Sequence, residues 1–159
     1  MTVLIFLLAG FFVIIFLFLI FVKNEKRKIL KWIQGKEYMM LNDVAYVSRE
    51  GRNPLNQICD LIFCDGQIFV LPSIFYFRKF KVGFQPLIFY WNPKDIKLLG
   101  LVLAVYKIIK VVPGGKHFFV IFEYKDVFNK LNINQYQFLL DDEDIPKVYE
   151  IYEKTNWPK

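Results

Sequence analysis

Two residue types that carry much of enzyme chemistry are almost missing from this sequence. His117 is its one histidine, and Cys59 and Cys64 are its two cysteines. A four-ligand zinc set cannot be drawn from so few nitrogen and sulfur donors. The cysteines lie five positions apart in a segment of strand-forming residues, and an odd spacing along a strand puts side chains on opposite faces. They are expected neither to pair nor to share a metal, which argues against a disulfide-stapled secreted fold and fits a reducing compartment. Alanine is equally scarce, at Ala9, Ala45 and Ala104 only, while Lys, Ile, Asn and Phe are heavily used, a bias that suggests an AT-rich genome.

The same scarcity limits catalysis. His117 opens an apolar run directly after a Gly-Gly pair, the place of a satisfied or solvent-facing strand-end histidine rather than a general base. Nothing singles out Ser48, Ser73 or either cysteine as a nucleophile. Gly114-Gly115-Lys116 resembles the end of a phosphate loop but lacks the earlier Gly, and His117 stands where Ser or Thr would follow the Lys, so it reads as a hairpin turn. Asp141-Asp142-Glu143-Asp144 has no EF-hand spacing, and consecutive carboxylates point in different directions. No catalytic residue, metal, cofactor or small-molecule substrate is expected.

What the sequence has in quantity is apolar and aromatic surface: 55% of the 159 residues are hydrophobic and 19% aromatic, too many for a disordered chain. Thr2 to Val22 is one run of 21 residues without a charge or a proline. As a helix it measures about 31 Å, matching a hydrocarbon core of roughly 30 Å. No basic residue precedes it and no small-x-small site ends it, so a retained anchor is expected over a cleaved signal peptide. Between Lys23 and Lys36 stand six basic residues (Lys23, Lys26, Arg27, Lys28, Lys31, Lys36) against Glu25 alone. The positive-inside bias then predicts a single pass through the inner (cell) membrane, the N-terminus outside and the remainder cytoplasmic. Lys26 to Gln34 reads as a short amphipathic continuation of the helix, ended by Gly35, with Trp32 near headgroup depth.

From Gln57 the pattern changes to short β-type runs. Gln57–Cys64 and Gln67–Leu71 flank Asp65-Gly66, a type I′ hairpin signal. Phe75–Val82 and Pro86–Trp91 read as further strands. Leu101–Val112 and His117–Tyr124 are joined through Pro113-Gly114-Gly115-Lys116, and Ile133–Leu140 makes about the seventh strand. Lys107 and Lys110 interrupt Leu98–Val112, which is therefore expected to be a buried strand and not a second span. The acidic row ahead of Ile145-Pro146 predicts a capped helix over 144–156, with Ile145, Val148, Tyr149 and Tyr152 on one face. Three parts are expected: a transmembrane helix over 1–22, a basic juxtamembrane segment over 23–36, and a mainly antiparallel β domain over 37–159. Within that domain residues 37–56 have no clear place.

Strands in this number closed by one amphipathic helix, with the hairpin Leu61 to Leu71 and the later Tyr90-Trp91-Asn92-Pro93-Lys94-Asp95-Ile96, resemble the bacterial pleckstrin-homology (PH) and GRAM-type domains over about residues 55–156. The resemblance implies a β-barrel or roll used for binding or scaffolding, and it names no ligand. Charge adds one expectation. Arg78 to Lys116 carries eight basic residues against Asp95, whereas Glu123 to Lys159 is net −3. A basic face would turn toward an anionic leaflet, with Arg78, Lys79, Lys81, Lys94 and Lys97 as candidate lipid or anion contacts beside the juxtamembrane Lys23, Lys26, Arg27, Lys28 and Lys31. Nucleic acid is the poorer polyanion, since no reader motif is present. A membrane protein partner contacting exposed aromatics among Phe75, Tyr76, Phe77, Phe89, Tyr90 and Trp91 is the other expectation.

Overall fold

The computed structural model describes residues 2–48, 57–77, 80–83, 85–91, 104–126 and 128–158; side chains are described within these except at 2–5, 48, 74–77 and 80–83. Helix α1 (Thr2–Ile33) is followed by β1 (Tyr38–Ser48), β2 (Ile58–Cys64), β3 (Gln67–Phe77), β4 (Phe80–Gly83) and β5 (Leu87–Tyr90). Then come β6 (Ala104–Gly114), β7 (His117–Lys125), β8 (Leu131–Leu139) and helix α2 (Ile145–Lys154). The strand order is β2-β1-β8-β7-β6-β5-β3-β4, and pairing of β2 with β3 closes seven of the strands into a barrel. Among the described strands β4 alone stands outside the ring, paired with β3.

The barrel interior follows from alternation, corrected at two points. Along β7, Phe118, Val120 and Phe122 are buried and alternate with half-buried neighbours. Leu41 and Val44 of β1 are three apart, which would normally put them on opposite faces, yet both join the core. A register shift between them, with Asp43 at φ 59°, supplies the extra residue. Ile108 and Val111 of β6 repeat the device across a shift between Ile108 and Lys110. The enclosed rings are mainly aromatic: Phe122 stacks on Tyr136 with centroids 5.4 Å apart and lies 4.9 Å from Phe89, while Phe63 meets Phe118 edge-on. Burying each such ring stabilises the fold by about 1.5–3 kcal/mol.

Several sequence expectations are altered. The segment over 37–48, left without a place, is β1, the strand that joins β2 to β8 and so lets the ring close. Phe75–Val82 is not one strand: β3 runs to Phe77 and β4 returns from Phe80, although no Gly, Asn or Pro marks the reversal. The pairing of β5 with β6 is parallel, an exception in an otherwise antiparallel sheet. Of the expected buried strand Leu98–Val112, residues 98–103 lie outside the described residues; Ala104–Gly114 is a strand, but only Ile108 and Val111 on it are buried, the others being half-buried or exposed. The Asp65-Gly66 turn has positive φ at both residues, the type I′ requirement. Helix α2 packs Val148 into the core, with Ile145, Ile151 and Tyr152 around it. Its N-cap is Asp144, but no side-chain cap bond forms, because the Asp144 carboxylate accepts from Lys147 Nζ at 2.7 Å instead.

The helix does not stop at the charged boundary. It continues unbroken from the apolar run to Ile33, where Gly35 at φ 83° turns the chain into β1. Gly66→Ala should cost about 1–2 kcal/mol in a denaturation midpoint, because φ is +70° and no atom stands where the Cβ would go, leaving backbone strain as the whole penalty. Phe89→Ala, in contrast, should cost about 3–5 kcal/mol by emptying the centre of the ring cluster.

Candidate functional site

The last third of α1 is a fitted part of the domain. Val22, Glu25, Ile29 and Ile33 recur at helical spacing and are all buried. Ile29 and Ile33 pack on Ile62, Cys64, Phe69, Leu71 and Ile88, which are the outward-pointing positions of β2, β3 and β5. Trp32 lies on Phe69, ring centroids 5.4 Å apart, so its ring belongs to this seam rather than standing alone. A sheet with one face in the barrel core and the other under a helix must be apolar on both, and β2 accordingly shows no alternation from Cys59 to Cys64.

This seam sorts the juxtamembrane cations. Lys26 donates to Asp60 on β2 at 3.1 Å, and Lys28 to the buried Glu25 at 2.7 Å. Lys36 reaches Asp65 at 2.8 Å while its ammonium sits 3.3 Å from the centre of the Trp32 ring. Lys23, Arg27 and Lys31, spaced four apart, are exposed along the side of α1 away from the barrel. The six cations that read alike in sequence are thus of two kinds, three engaged by carboxylates and three lined up outward. Of the strand candidates, Arg78, Lys79, Lys94 and Lys97 lie outside the described residues, and Lys81 is placed by backbone only, in β4.

At the end of the barrel where α1 passes into β1, α2 leaves a cleft of about 420 Å³ against the start of β1 and the β2–β3 turn. Tyr38, Met39, Phe63, Ile151 and Trp157 give it an apolar floor, and charged residues rim it. The rim cations are already engaged: Lys147 by Asp144 and Lys154 by Glu150 at 2.6 Å, which raises the pKa of Lys154 and lowers that of Glu150. Lys116 pairs with Asp142 at 2.8 Å, so it belongs to the acidic end of the barrel although the sequence counts it with the basic stretch.

Several of the residues searched for chemistry have structural partners; the side chain of Ser48 lies outside the described residues. Gln137 Nε2 donates to His117 Nδ1 at 2.9 Å. Gly115, at φ 64°, forms the β6–β7 turn, and its N–H donates to the Tyr149 hydroxyl at 3.1 Å. Cys59 points into the barrel core and Cys64 into the α1 seam, on opposite faces as their spacing predicts. Burial pushes both thiols up, Cys64 to about 11 with the nearby Asp65 adding to the effect, so neither is an activated thiolate. Among the described residues no three His, Cys, Asp or Glu side chains could hold a metal ion. Of the aromatics considered for a partner, Phe89 is buried, Tyr90 half-buried and Trp91 exposed.

With that geometry in hand, comparison with known proteins adds nothing: no family model, curated protein or solved structure matches the chain.

Cys64 generates a pH test. Its thiol is protonated in both states below about pH 8.5; above that the unfolded chain ionises first, so the thiol's contribution to stability falls as pH rises toward about 11. Iodoacetamide should therefore label the native chain at pH 7.5 more than about 100-fold more slowly than a free cysteine, read by mass spectrometry.

Proposed function

We propose that this chain is a single-pass membrane protein whose C-terminal part is a non-catalytic, PH-like module held at the cytoplasmic face of the cell membrane. There it binds a protein partner, the anionic membrane surface, or both. The observation that carries the reading is the two-part use of α1. The described side chains from Phe6 to Phe21 are exposed apolar groups on a helix long and apolar enough to cross a bilayer, while Val22 to Ile33 belong to the barrel. An apolar surface of that extent is not left to water, and a bilayer covers it at matching thickness. Lys23, Arg27 and Lys31 then stand beside the headgroups, where each contributes about 1 kcal/mol of attraction to an anionic leaflet and favours the cytoplasmic side.

A second reading, a structural subunit of an inner-membrane complex, has its own support. Val47 of β1 and Ile133 and Leu139 of β8 are exposed, Leu139 beside β1 and Ile133 further along β8 where it pairs with β7. Register places Val47 opposite Gln137 and Ala45 opposite Leu139, so Val47 and Leu139 are near neighbours on the outer face, and Ile133 follows on that face of β8 by alternation.

The full chain should stay with membranes through alkaline carbonate extraction, and protease should remove the barrel only from vesicles that expose the cytoplasmic face. Release by carbonate would refute the anchor, and digestion from the outer face would refute the orientation. Ile133→Glu should leave the unfolding free energy within about 0.5 kcal/mol of the parent, as for other surface changes. Loss of a stoichiometric partner from a mild-detergent pull-down of that variant would favour the subunit reading.

A further inference from the structure

We propose that the outer face of β8, with its neighbours β7 and β1, is the contact between two copies of this chain in one membrane. The proposal deepens the subunit reading above by naming the partner as a second copy, and it takes its orientation from the anchored reading.

Exposed apolar side chains gather on that face. Outside α1, seven large hydrophobic residues are exposed among the described ones. Five of them, Val47, Phe128, Leu131, Ile133 and Leu139, stand on β8, on its neighbour β1 or in the turn that opens β8. Alternation puts Leu131, Ile133, Gln135, Gln137 and Leu139 on one outward row, since Tyr136 and Phe138 between them belong to the core. The β7–β8 turn is built to hold its ring. The Asp126 carboxylate accepts from the N–H groups of Phe128 and Lys130, each at 2.9 Å, and from Asn132 Nδ2 at 3.0 Å. Phe128 is 88% exposed on that tied backbone, so little further ordering is needed for it to enter a partner.

The charge pattern selects a second copy. In a twofold contact each patch meets itself, so a charge near the axis would face its own sign. The outward row of β8 has no lysine, arginine or carboxylate. Beside it on β7 stand His117, Phe119 and Ile121, opposite Leu139, Gln137 and Gln135. Glu123 and Lys125 border the Ile133 end of the row with opposite signs, and Glu123 is already paired with Lys107 at 3.6 Å. Lys107 and Lys110 of β6 fall on the rim, where charge is usual. Glutamine suits the axis itself, because an amide both donates and accepts and so bonds to its own copy, which neither a carboxylate nor an ammonium does.

Position and size agree with this. The ring order sets α1 over β2, β3 and β5 and leaves β8 and β7 on the opposite wall. A twofold axis along α1 brings two such walls together while both anchors enter one bilayer in the same sense. From Ile133 to Leu139, across β1, β8, β7 and β6, the face spans about 24 Å by about 19 Å. Two faces then contribute roughly 900 Å² in flat projection, close to the 1,000 Å² or so of a specific contact. Anchored copies share a plane and an orientation before they meet, so they lose less freedom on association than copies in solution.

The test uses the full chain, in a neutrally buoyant mild detergent and separately in vesicles. Sedimentation equilibrium should show monomer and dimer in exchange. Ile133→Glu, which enters the contact twice, should weaken the dimer about 30-fold or more, as loss of a hot-spot residue does. If that variant fails to fold, Leu139→Glu decides; Gly10→Leu in the anchor should leave the equilibrium unchanged. In vesicles, nitroxide labels on two copies at Lys125→Cys should lie closer together than labels at Lys31→Cys, on the far side of α1. Cys59 and Cys64 are buried and label slowly. A dimer that survives both Glu variants, or that brings the Lys31→Cys labels closer than the Lys125→Cys labels, would put the contact elsewhere and overturn the proposal. A monomeric chain that instead retains a different protein in stoichiometric amount, lost on Ile133→Glu, would overturn the second copy and spare the subunit reading. A monomer with no such partner would overturn both.

Discussion

Ile29 and Ile33 of α1, seated on Ile62, Phe69 and Ile88, form the contact on which the rest of the geometry depends. A helix has a fixed rise of about 1.5 Å and a fixed rotation per residue, so seating its last turns on the barrel also sets the height and azimuth of every residue before them. A flexible linker at the same place would leave the barrel free to roam over several nanometres. Here the apolar run and the domain share one rigid element, and the seam is closed electrostatically at two levels, Lys26 to Asp60 and Lys36 to Asp65.

That contact also explains why the sheet looks as it does. The β2–β3–β5 side is covered inside by the ring cluster and outside by α1, and its strands carry buried apolar side chains on both faces, with Asp60, Gln67 and Ser73 as buried polar exceptions. Among the described residues the β7–β8 side has no helix over it, and it keeps the alternation of a half-exposed sheet, clearest in β7. Bulges in β1 and β6 adjust the phase so that residues three apart both reach the interior. Barrel closure at seven strands is compatible with such local re-phasing because each extra residue bends its strand and increases its twist.

Charge is distributed along the molecule by the same frame. The α2 end holds the acidic row, and the lysines around it are consumed by Asp142, Asp144 and Glu150. Among the described residues, Lys23, Arg27 and Lys31 stand outward on α1, next to the apolar run. Exposed pairs of this kind add little stability, commonly 0–1 kcal/mol, so their effect is local neutralisation around α2.

Much of this was legible in the residues. The apolar run, the Asp65-Gly66 and Gly115 turns, the opposed cysteines and the terminal helix with Val148 inward all follow from local rules, because run length, positive-φ tolerance and 2.0 or 3.6 periodicity act within a few positions. β1 was not legible, since its alternation is broken by the Asp43 bulge, nor was the β3–β4 reversal, which carries no turn residue. The candidate site divides in the same way: composition marks six cations after the run as a group, but Asp60 and Asp65, which select among them, arrive from strands some thirty positions away. The sequence by itself determined that the chain has a bilayer-length apolar helix, a barrel's worth of strands and a closing helix. Only the tertiary structure decided that the first helix is clamped to the barrel and which of its lysines remain outward, because those outcomes depend on non-local contacts that no window of neighbouring residues contains.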